Sequence, residues 1–571
     1  VINISTLRAW LPKSVEALTN YSRKDFTADL TAGLTVGLVA LPLAMAFGIS
    51  SGVTPQAGIY TAVIAGFLIS ALGGSRTQIG GPTGAFVVVI AAIIARHGLS
   101  GLLMVTMMAG LILLFLGITG LGNAVKFIPR PVIIGFTNGI AVLIASTQIK
   151  DFLGITAEGS VPSEFLQRMG YLWDHIGTAQ PVTIILALTS LLVILVTPRF
   201  TRKVPGSIIA LIGATACIPL FNIPVETIGT KFGGIPTGLP QMHIPPFRLD
   251  LIIPLIPSAI TVALLAAIES LLSAVVADSM SGDRHNSNVE LVAQGIANIT
   301  VPLFGGIPVT GAIARTATNI RSGARTPVSG MIHALTLLAI ILFAAPLARF
   351  IPLGTLAAVL FVVSYNMGEW REIPMVLHQE PKDIAVWFIT FALTVLADLT
   401  IAVEVGMTLA ALLYIYQVSK TTVVAPLTNE AIEKARAHRV LDHAIPHYIS
   451  IFHIQGPFLF GVAEKLNNAS IDDLNEIVVL RLRHMTAIDA TGVYAIEQFY
   501  ERLHASGKTL LICGARSQPK RLIYTSSIPK TVGARNILPN ITSALSRAAV
   551  VHERFGGIGE EAAIGLTEAP V

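Results

Sequence analysis

Glu269 is the only ionisable residue between Asp250 and Asp278, in the middle of Leu264-Leu265-Ala266-Ala267-Ile268-Glu269-Ser270-Leu271-Leu272-Ser273. A carboxylate in an apolar stretch of this length points to function, because charge inside a membrane is costly and marks ion pathways or proton relays. Ser273, four residues on, shares its helical face. The pair could hold a proton or, with backbone carbonyls from a neighbouring segment, a sodium ion. The competing reading is a structural carboxylate paired with Arg315 or with a backbone donor. Arg315 is costly to bury in lipid, so it should face protein or a watery cavity, unless it snorkels to the surface like Arg321 and Arg325.

A repeated glycine-proline pattern flanks these groups. Gly80-Gly81-Pro82-Thr83-Gly84-Ala85-Phe86 and Gly305-Gly306-Ile307-Pro308-Val309-Thr310-Gly311-Ala312-Ile313 each contain Gly-Gly, then Pro, then Thr-Gly-Ala. Short, interrupted apolar segments at matching positions in two halves of a chain point to broken helices at a transport site. A helix N-terminus exposes unpaired N–H groups and carries about half a positive charge, so two facing N-termini make an anion site. Thr83 and Thr310 are the natural N-cap residues, offering a side-chain oxygen to the helix or a hydroxyl to a ligand. Gly84 and Gly311 let backbone approach closely. Two helix ends at about +0.5 each, with Arg315, give about +2, which ionised Glu269 reduces to about +1. A monoanion matches that state, and a dianion fits best with Glu269 protonated or cation-bound, so co-transport of a dianion with a proton is expected.

These segments require a membrane scaffold. A bilayer core of about 30 Å needs about 20 apolar residues per helix. Apolar spans fall near 30–50, 56–73, 83–95, 100–120, 131–149, 182–197 and 205–220, then near 255–279, 288–303, 311–320, 328–346, 353–368, 382–398 and 400–419. Each glycine-proline segment is the third of its set of seven. An odd count per repeat inverts the second copy, so the two half-helices should enter from opposite faces and meet near the midplane. Connections on the side of the N-terminus hold fifteen Lys+Arg and those on the other side six. The positive-inside rule then puts both termini in the cytoplasm of a multi-pass protein of the cytoplasmic (inner) membrane. Asp398 and Glu404 are expected near a membrane face, capping or pairing.

Composition agrees. The 571 residues are 53% hydrophobic and only 12% charged, with a mean hydropathy of +0.72, about half the charge of an ordinary soluble domain. A purely soluble enzyme is excluded. The net charge of +5 comes from short basic clusters between apolar runs, which argues against nucleic acid as a partner. Two cysteines, Cys217 and Cys513, cannot form a disulfide framework. The N-terminal stretch through Leu7, Trp10, Leu11 and Val15 reads as an amphipathic surface helix without a cleavage site, so no targeting segment is expected to be removed.

The expected organisation is a cytoplasmic segment (1–28), a transmembrane domain (29–420, repeats 29–220 and 250–420), a charged helical linker (421–445), an α/β domain (446–555) and a disordered end (556–571). In the α/β domain, strands are expected at 448–454, 458–460, 477–482 and 509–513, and helices near 462–469, 491–505, 517–524 and 537–549. Asp489-Ala490-Thr491-Gly492 marks a strand-to-helix turn whose aspartate and threonine either cap the helix or serve as phosphoacceptor or partner contact. No Gly-rich phosphate loop, metal-spaced cluster or nucleophile with its base is present, so no enzyme activity, cofactor or metal is expected.

Gly-Gly-Pro-Thr-Gly-Ala at 80–85, Gly311-Ala312-Ile313-Ala314-Arg315-Thr316, the Glu269 segment and Asp489-Ala490-Thr491-Gly492 resemble the sulfate permease family (SulP, solute carrier family 26), with a C-terminal STAS domain. The resemblance implies core and gate domains built from inverted seven-helix repeats, elevator-like movement of the core and a homodimer. Substrate contacts carried over by it fall on Leu43 and Phe47, on Pro82 and Thr83, and on Ala312, Ile313, Ala314 and Arg315; Gly84 and Gly311 join them as binding positions on the ground of close backbone approach alone. Phe47 would line the cavity or simply pack. Pro42-Leu43 stands where many members have Pro-Gln, and Ile313 where sodium-bicarbonate members carry threonine, which favours H+ over Na+ as coupling ion. The run at 312–323 with Pro42-Leu43-Ala44-Met45-Ala46 is most similar to bacterial C4-dicarboxylic acid transporters of the family. The expectation is therefore proton-coupled symport of succinate, fumarate or aspartate, then sulfate or bicarbonate. An anion channel lacks a continuous polar pore here, and a membrane sensor signalling through the STAS domain would bind without flux. A cytosolic protein partner is expected at that domain.

Overall fold

The computed structural model describes residues 10–19, 21–122, 129–156, 161–162, 164–200, 205–234, 238, 241–244, 248–397, 399–426, 446–460, 462, 465–466 and 475–554. The chain divides into two compact units at residues 410 and 411. The first is helical. Its principal elements are α1 (Arg23–Ser50), α2 (Pro55–Leu72), β1 (Gly80–Gly81), α3 (Ala85–Ile118), α4 (Arg130–Leu153), α5 (Pro181–Phe200), α6 (Gly206–Phe221), α7 (Ile252–Ser281), α8 (Ser287–Thr300), β2 (Thr310–Gly311), α9 (Ile313–Arg321), α10 (Val328–Ala348), α11 (Leu353–Met367) and α12 (Pro381–Leu396), and α13 (Leu399–Thr421) runs across the division. Each of the fourteen expected spans falls on a described helix. Seven described helices are at least 18 residues long and apolar enough to cross a membrane; others, such as α8, α9 and α12, are shorter.

Local chemistry explains the boundaries. Ser22 caps α1 in a reciprocal box with Asp25, and proline opens α2, α4 and α12 at the first or second position, where a missing N–H costs nothing. The third and fourth spans are joined in α3, broken only at Gly98 (φ 68°, ψ −175°), a backbone conformation that essentially requires glycine.

Packing sorts the spans into two groups. α1, α2, α3, α7, α8, α9 and α10 pack chiefly on one another, as do α4, α5, α6, α11 and α12. Glycines let helix backbones meet where lipid offers no hydrophobic drive: a side chain on Gly58 would strike the Ala44 carbonyl, and one on Gly110 would lie 2.8 Å from the Gly295 carbonyl oxygen. β1 and β2 pair antiparallel, Gly80 with Gly311 and Gly81 with Thr310. The two halves therefore cross in opposite directions at their broken segments, as expected for inverted repeats.

The second unit holds a five-stranded sheet in the order β3-β4-β5-β6-β7: β3 (Val423–Pro426), β4 (Ile449–Phe458), β5 (Ile477–Ile488), β6 (Thr509–Cys513) and β7 (Ile537–Leu538). β3 is antiparallel to β4 and the other pairs are parallel. α14 (Ala490–Ala505) and α15 (Ser517–Thr525) cover one face through Val493, Ile496, Phe499 and Ile523, and α16 (Ile541–Arg554) covers the other through Ala544, Ala548 and Val551.

Three expectations need correction. The strands expected at 448–454 and 458–460 are one strand ending at Phe458; irregular register on either side of Gly456 (φ 100°) carries it past Pro457. The linker is not helical at its start, because β-branched Val423 and Val424 add to β4 as an edge strand. Ile537–Leu538 is a strand on β6, and the helix begins only after Pro539, where Asn540 Oδ1 accepts from Ser543 N–H at 2.8 Å. The expectations for Leu7, Asp398, the linker from 427 to 445, most of 462–469 and the end from 556 to 571 lie outside the described residues. Of the amphipathic N-terminal stretch, Lys13–Leu18 is helical, with Trp10, Leu11 and Val15 exposed.

Candidate anion site

The crossing of β1 and β2 rests on one face of α7. Thr310 Oγ1 donates to the Ala266 carbonyl at 2.9 Å and lies 2.7 Å from Ser270 Oγ. Gly311 N–H donates to Ser270 Oγ at 3.0 Å, and Gln78 Nε2 donates to the Ser270 carbonyl at 3.1 Å. A turn further on, Ser273 Oγ lies 3.0 Å from Thr316 Oγ1, which accepts from Ile79 N–H at 3.0 Å. Ala266, Ser270 and Ser273 are thus the small face that seats both half-helix starts, and Glu269 projects from its flank.

Glu269 meets the first half-helix. Its Oε2 accepts a hydrogen bond from Thr83 Oγ1 at 2.8 Å. Thr83 is half-buried, as is Glu269. Thr83 makes no cap: α3 starts after Gly84, with no side-chain cap bond. Nor does Thr310, whose hydroxyl is spent on α7 because it lies in β2, while α9 starts after Ala312. The capping expected of these two threonines is corrected on that ground. Ser273 is fully buried and its hydroxyl pairs with Thr316.

Arg315 sits in the first turn of α9 with 2% of its surface exposed, so it does not snorkel. Its Nη2 donates to the Pro82 carbonyl, and a side chain on Gly81 would collide with its Nη1. No ion pair within 4.0 Å joins it to Glu269 among the described residues. The guanidinium supplies its charge from behind the chain segment that leads into α3.

The remaining expected contacts divide by exposure. Pro82, Gly84, Gly311 and Ala312 are buried and Ile313 and Ala314 exposed. Leu43 and Phe47 are buried on α1. A carbon placed on Gly84 would lie 2.9 Å from Ile144 Cδ1, 3.3 Å from Met367 Sδ and 3.3 Å from Phe47 Cε1. The start of α3 is therefore enclosed by α1 of one packing group and by α4 and α11 of the other. The sequence reading missed Gln78, Ser270, Thr316, Ile144 and Met367. A signal existed for the first two, since Gln78 lies two residues before Gly80 and Ser270 adjoins Glu269.

In the second unit Asp489 caps α14. Its Oδ1 accepts from Gly492 N–H at 2.8 Å and its Oδ2 from Phe460 N–H at 3.0 Å. Thr491 is exposed and takes no part in the cap.

Residues 26–390 match the sulfate permease family and residues 441–544 the STAS domain. A relative in Bacillus subtilis (strain 168), "Putative sulfate transporter YvdB", is 41% identical over 90% of this chain and 96% of its own length. The bicarbonate transporter BicA of Synechocystis is 34% identical over 86% and 89%. Among solved structures, the transmembrane domain of a cyanobacterial BicA covers 67% of this chain and 98% of its own at 36% identity and a TM-score of 0.61. The murine anion transporter Slc26a9 covers 96% of each chain at a TM-score of 0.83 and 17% identity, a likeness of fold alone. This chain, a helical membrane domain with a C-terminal STAS domain, belongs to the sulfate permease family of anion transporters.

Proposed function

We propose that the chain is a secondary active carrier of a small inorganic oxyanion, sulfate or bicarbonate, and that for the dianion, sulfate, Glu269 carries the coupling proton. The observation behind this reading is the 2.8 Å hydrogen bond from Thr83 to the Glu269 carboxylate where the two half-helix starts cross. An anion arriving at the exposed start of α9 meets unpaired N–H groups, with the buried Arg315 charge behind them. Its charge and that of Glu269 then compete for the same positive field. A dianion is best held once Glu269 takes up a proton, and releasing the dianion frees that proton.

The relatives named for sulfate and for bicarbonate support a compact inorganic anion. The C4-dicarboxylate expectation accordingly becomes the competing arm of the test. The division of the spans into two packing groups supports alternating access by elevator-like movement of the group that holds the crossing against the other. In this reading the carrier works as a homodimer in the cytoplasmic membrane, with the STAS domain in the cytoplasm as the docking site of a protein partner.

Uptake of labelled sulfate, bicarbonate and succinate into proteoliposomes, with and without an inward proton gradient, tests the proposal. Proton-stimulated sulfate uptake, lost in Glu269→Gln, is the expected result. Succinate uptake that excess sulfate does not inhibit would replace the substrate, and binding of anions without flux would favour a sensor.

A further inference from the structure

Behind the crossing, buried polar atoms accumulate without partners. Ser70 Oγ, Asn319 Oδ1, Arg315 Nη1 and both ring nitrogens of His333 make no hydrogen bond and have essentially no solvent exposure. They come from three elements, α2, α9 and α10, and they are neighbours. Asn319 Nδ2 donates to Ser329 Oγ at 2.9 Å, and a side chain on the adjoining Gly330 would collide with Ser70 Oγ. Asn319 and Ser70 thus flank the start of α10. Away from the loop that joins α9 and α10, one turn along each, stand Arg315 and His333. A carbon on Gly66, one turn from Ser70 on α2, would lie 3.5 Å from His333 Nδ1 and 3.4 Å from the Gly80 carbonyl oxygen. Gly80 is joined to Gly81, against which Arg315 Nη1 packs.

Buried polar groups in native proteins are paired with protein atoms or with ordered water. Here the set is mixed: Arg315 Nη1 only donates, Asn319 Oδ1 only accepts, and Ser70 and an imidazole each do both. A cation would face the guanidinium, and an anion would face the Asn319 oxygen and the imidazole lone pair. Water satisfies all of them, and a buried water needs two to four polar partners. We infer that this site holds an internal water cluster bridging His333, Arg315, Asn319 and Ser70, and that His333 is thereby a positioning residue for the Arg315 guanidinium. Nη2 is fixed by the Pro82 carbonyl, and the water on Nη1 fixes the other arm. The guanidinium plane, and with it the charge behind the half-helix starts, is then held from two sides.

The positioning role rests on reading Arg315 as the charge behind the anion; the hydration does not. Radiolytic hydroxyl labelling of the full-length protein in 18O water reads the hydration directly, without transport. His333 is expected to take up label, whereas Phe86, equally buried, is not. A His333 as unlabelled as Phe86 would overturn the inference. For the second half, His333→Leu is expected to raise the KM for the transported anion about tenfold with kcat little changed, as loss of a hydrogen bond on a charged group implies. His333→Gln, which keeps a donor and an acceptor, stays within about threefold of the parent. Equal KM values for the Leu and Gln variants would remove the positioning role. Where the Leu variant fails to fold, labelling of the parent protein still decides the hydration, and parent protein without flux sinks the carrier reading alone.

Discussion

Among the described residues, Glu269 and Thr83 form the one side-chain pair that links α7 to the start of α3 across the crossing, so the hydroxyl of Thr83 is the smallest change that tests the site. Thr83→Val keeps the shape and removes the donor. A hydrogen bond to a charged group contributes about 1.5–3 kcal/mol, so kcat/KM for anion uptake is expected to fall about tenfold or more, with Thr83→Ser restoring most of it. An unchanged value would mean that the Thr83–Glu269 bond takes no part in transport. A second residue-scale expectation concerns Cys513, whose thiol is pushed up to about 12 chiefly by burial in the sheet. At pH 8 about one such thiol in ten thousand is ionised, so alkylation of Cys513 in the folded protein is expected to be far slower than in urea. The sign for stability follows from the raised value. The folded state holds the thiol proton more tightly, so this contribution is complete below the unfolded thiol's value and is lost as pH climbs toward about 12.

Among the elements, the two-residue strands are the most demanding. Gly311 donates its N–H to Ser270 and has Gln78 against its α-carbon. Gly311→Ala must therefore displace Gln78 or part the strands, and is expected to abolish uptake and lower the thermal midpoint in detergent; an active, equally stable variant would contradict the packing described. This crossing was legible in the sequence because glycine and proline interrupt apolar runs at matching places, and the spans were legible because lipid forces long apolar helices. What escaped were pairings across distance. Nothing near Thr310 in the chain says that its hydroxyl goes to Ala266 rather than to the next turn, and nothing near Glu269 names Thr83 as its partner. Val423–Pro426 escaped for a related reason, since an edge strand is defined by the neighbour it pairs with. The half-buried state of Glu269 and the exposure of Ile313 and Ala314 depend on how whole helices pack, which periodicity does not encode.

At the scale of the molecule, the antiparallel crossing and the seven-span repeats fix the orientation of each connection relative to the others, and only the absolute sense is left to charge. Fifteen Lys+Arg lie in connections on one side and six on the other. Arg168, counted among the six, is not a surface charge: it is 4% exposed, with Nη1 donating to Ser146 Oγ at 2.9 Å and Nε to the Pro162 carbonyl at 3.1 Å. Its removal widens the bias, which favours the side with more Lys+Arg as cytoplasmic. Two exposed positions on opposite sides test this. Gly177 lies between α4 and α5 with open space around its α-carbon, and Arg371 lies exposed between α11 and α12. In a parent with Cys217 and Cys513 replaced by serine, a membrane-impermeant maleimide is expected to label Gly177→Cys on intact cells and Arg371→Cys only after permeabilisation. The reverse pattern would turn the whole membrane unit over. It would place the end of α13, and the STAS domain that follows it, outside the cell, where a cytosolic partner has no access.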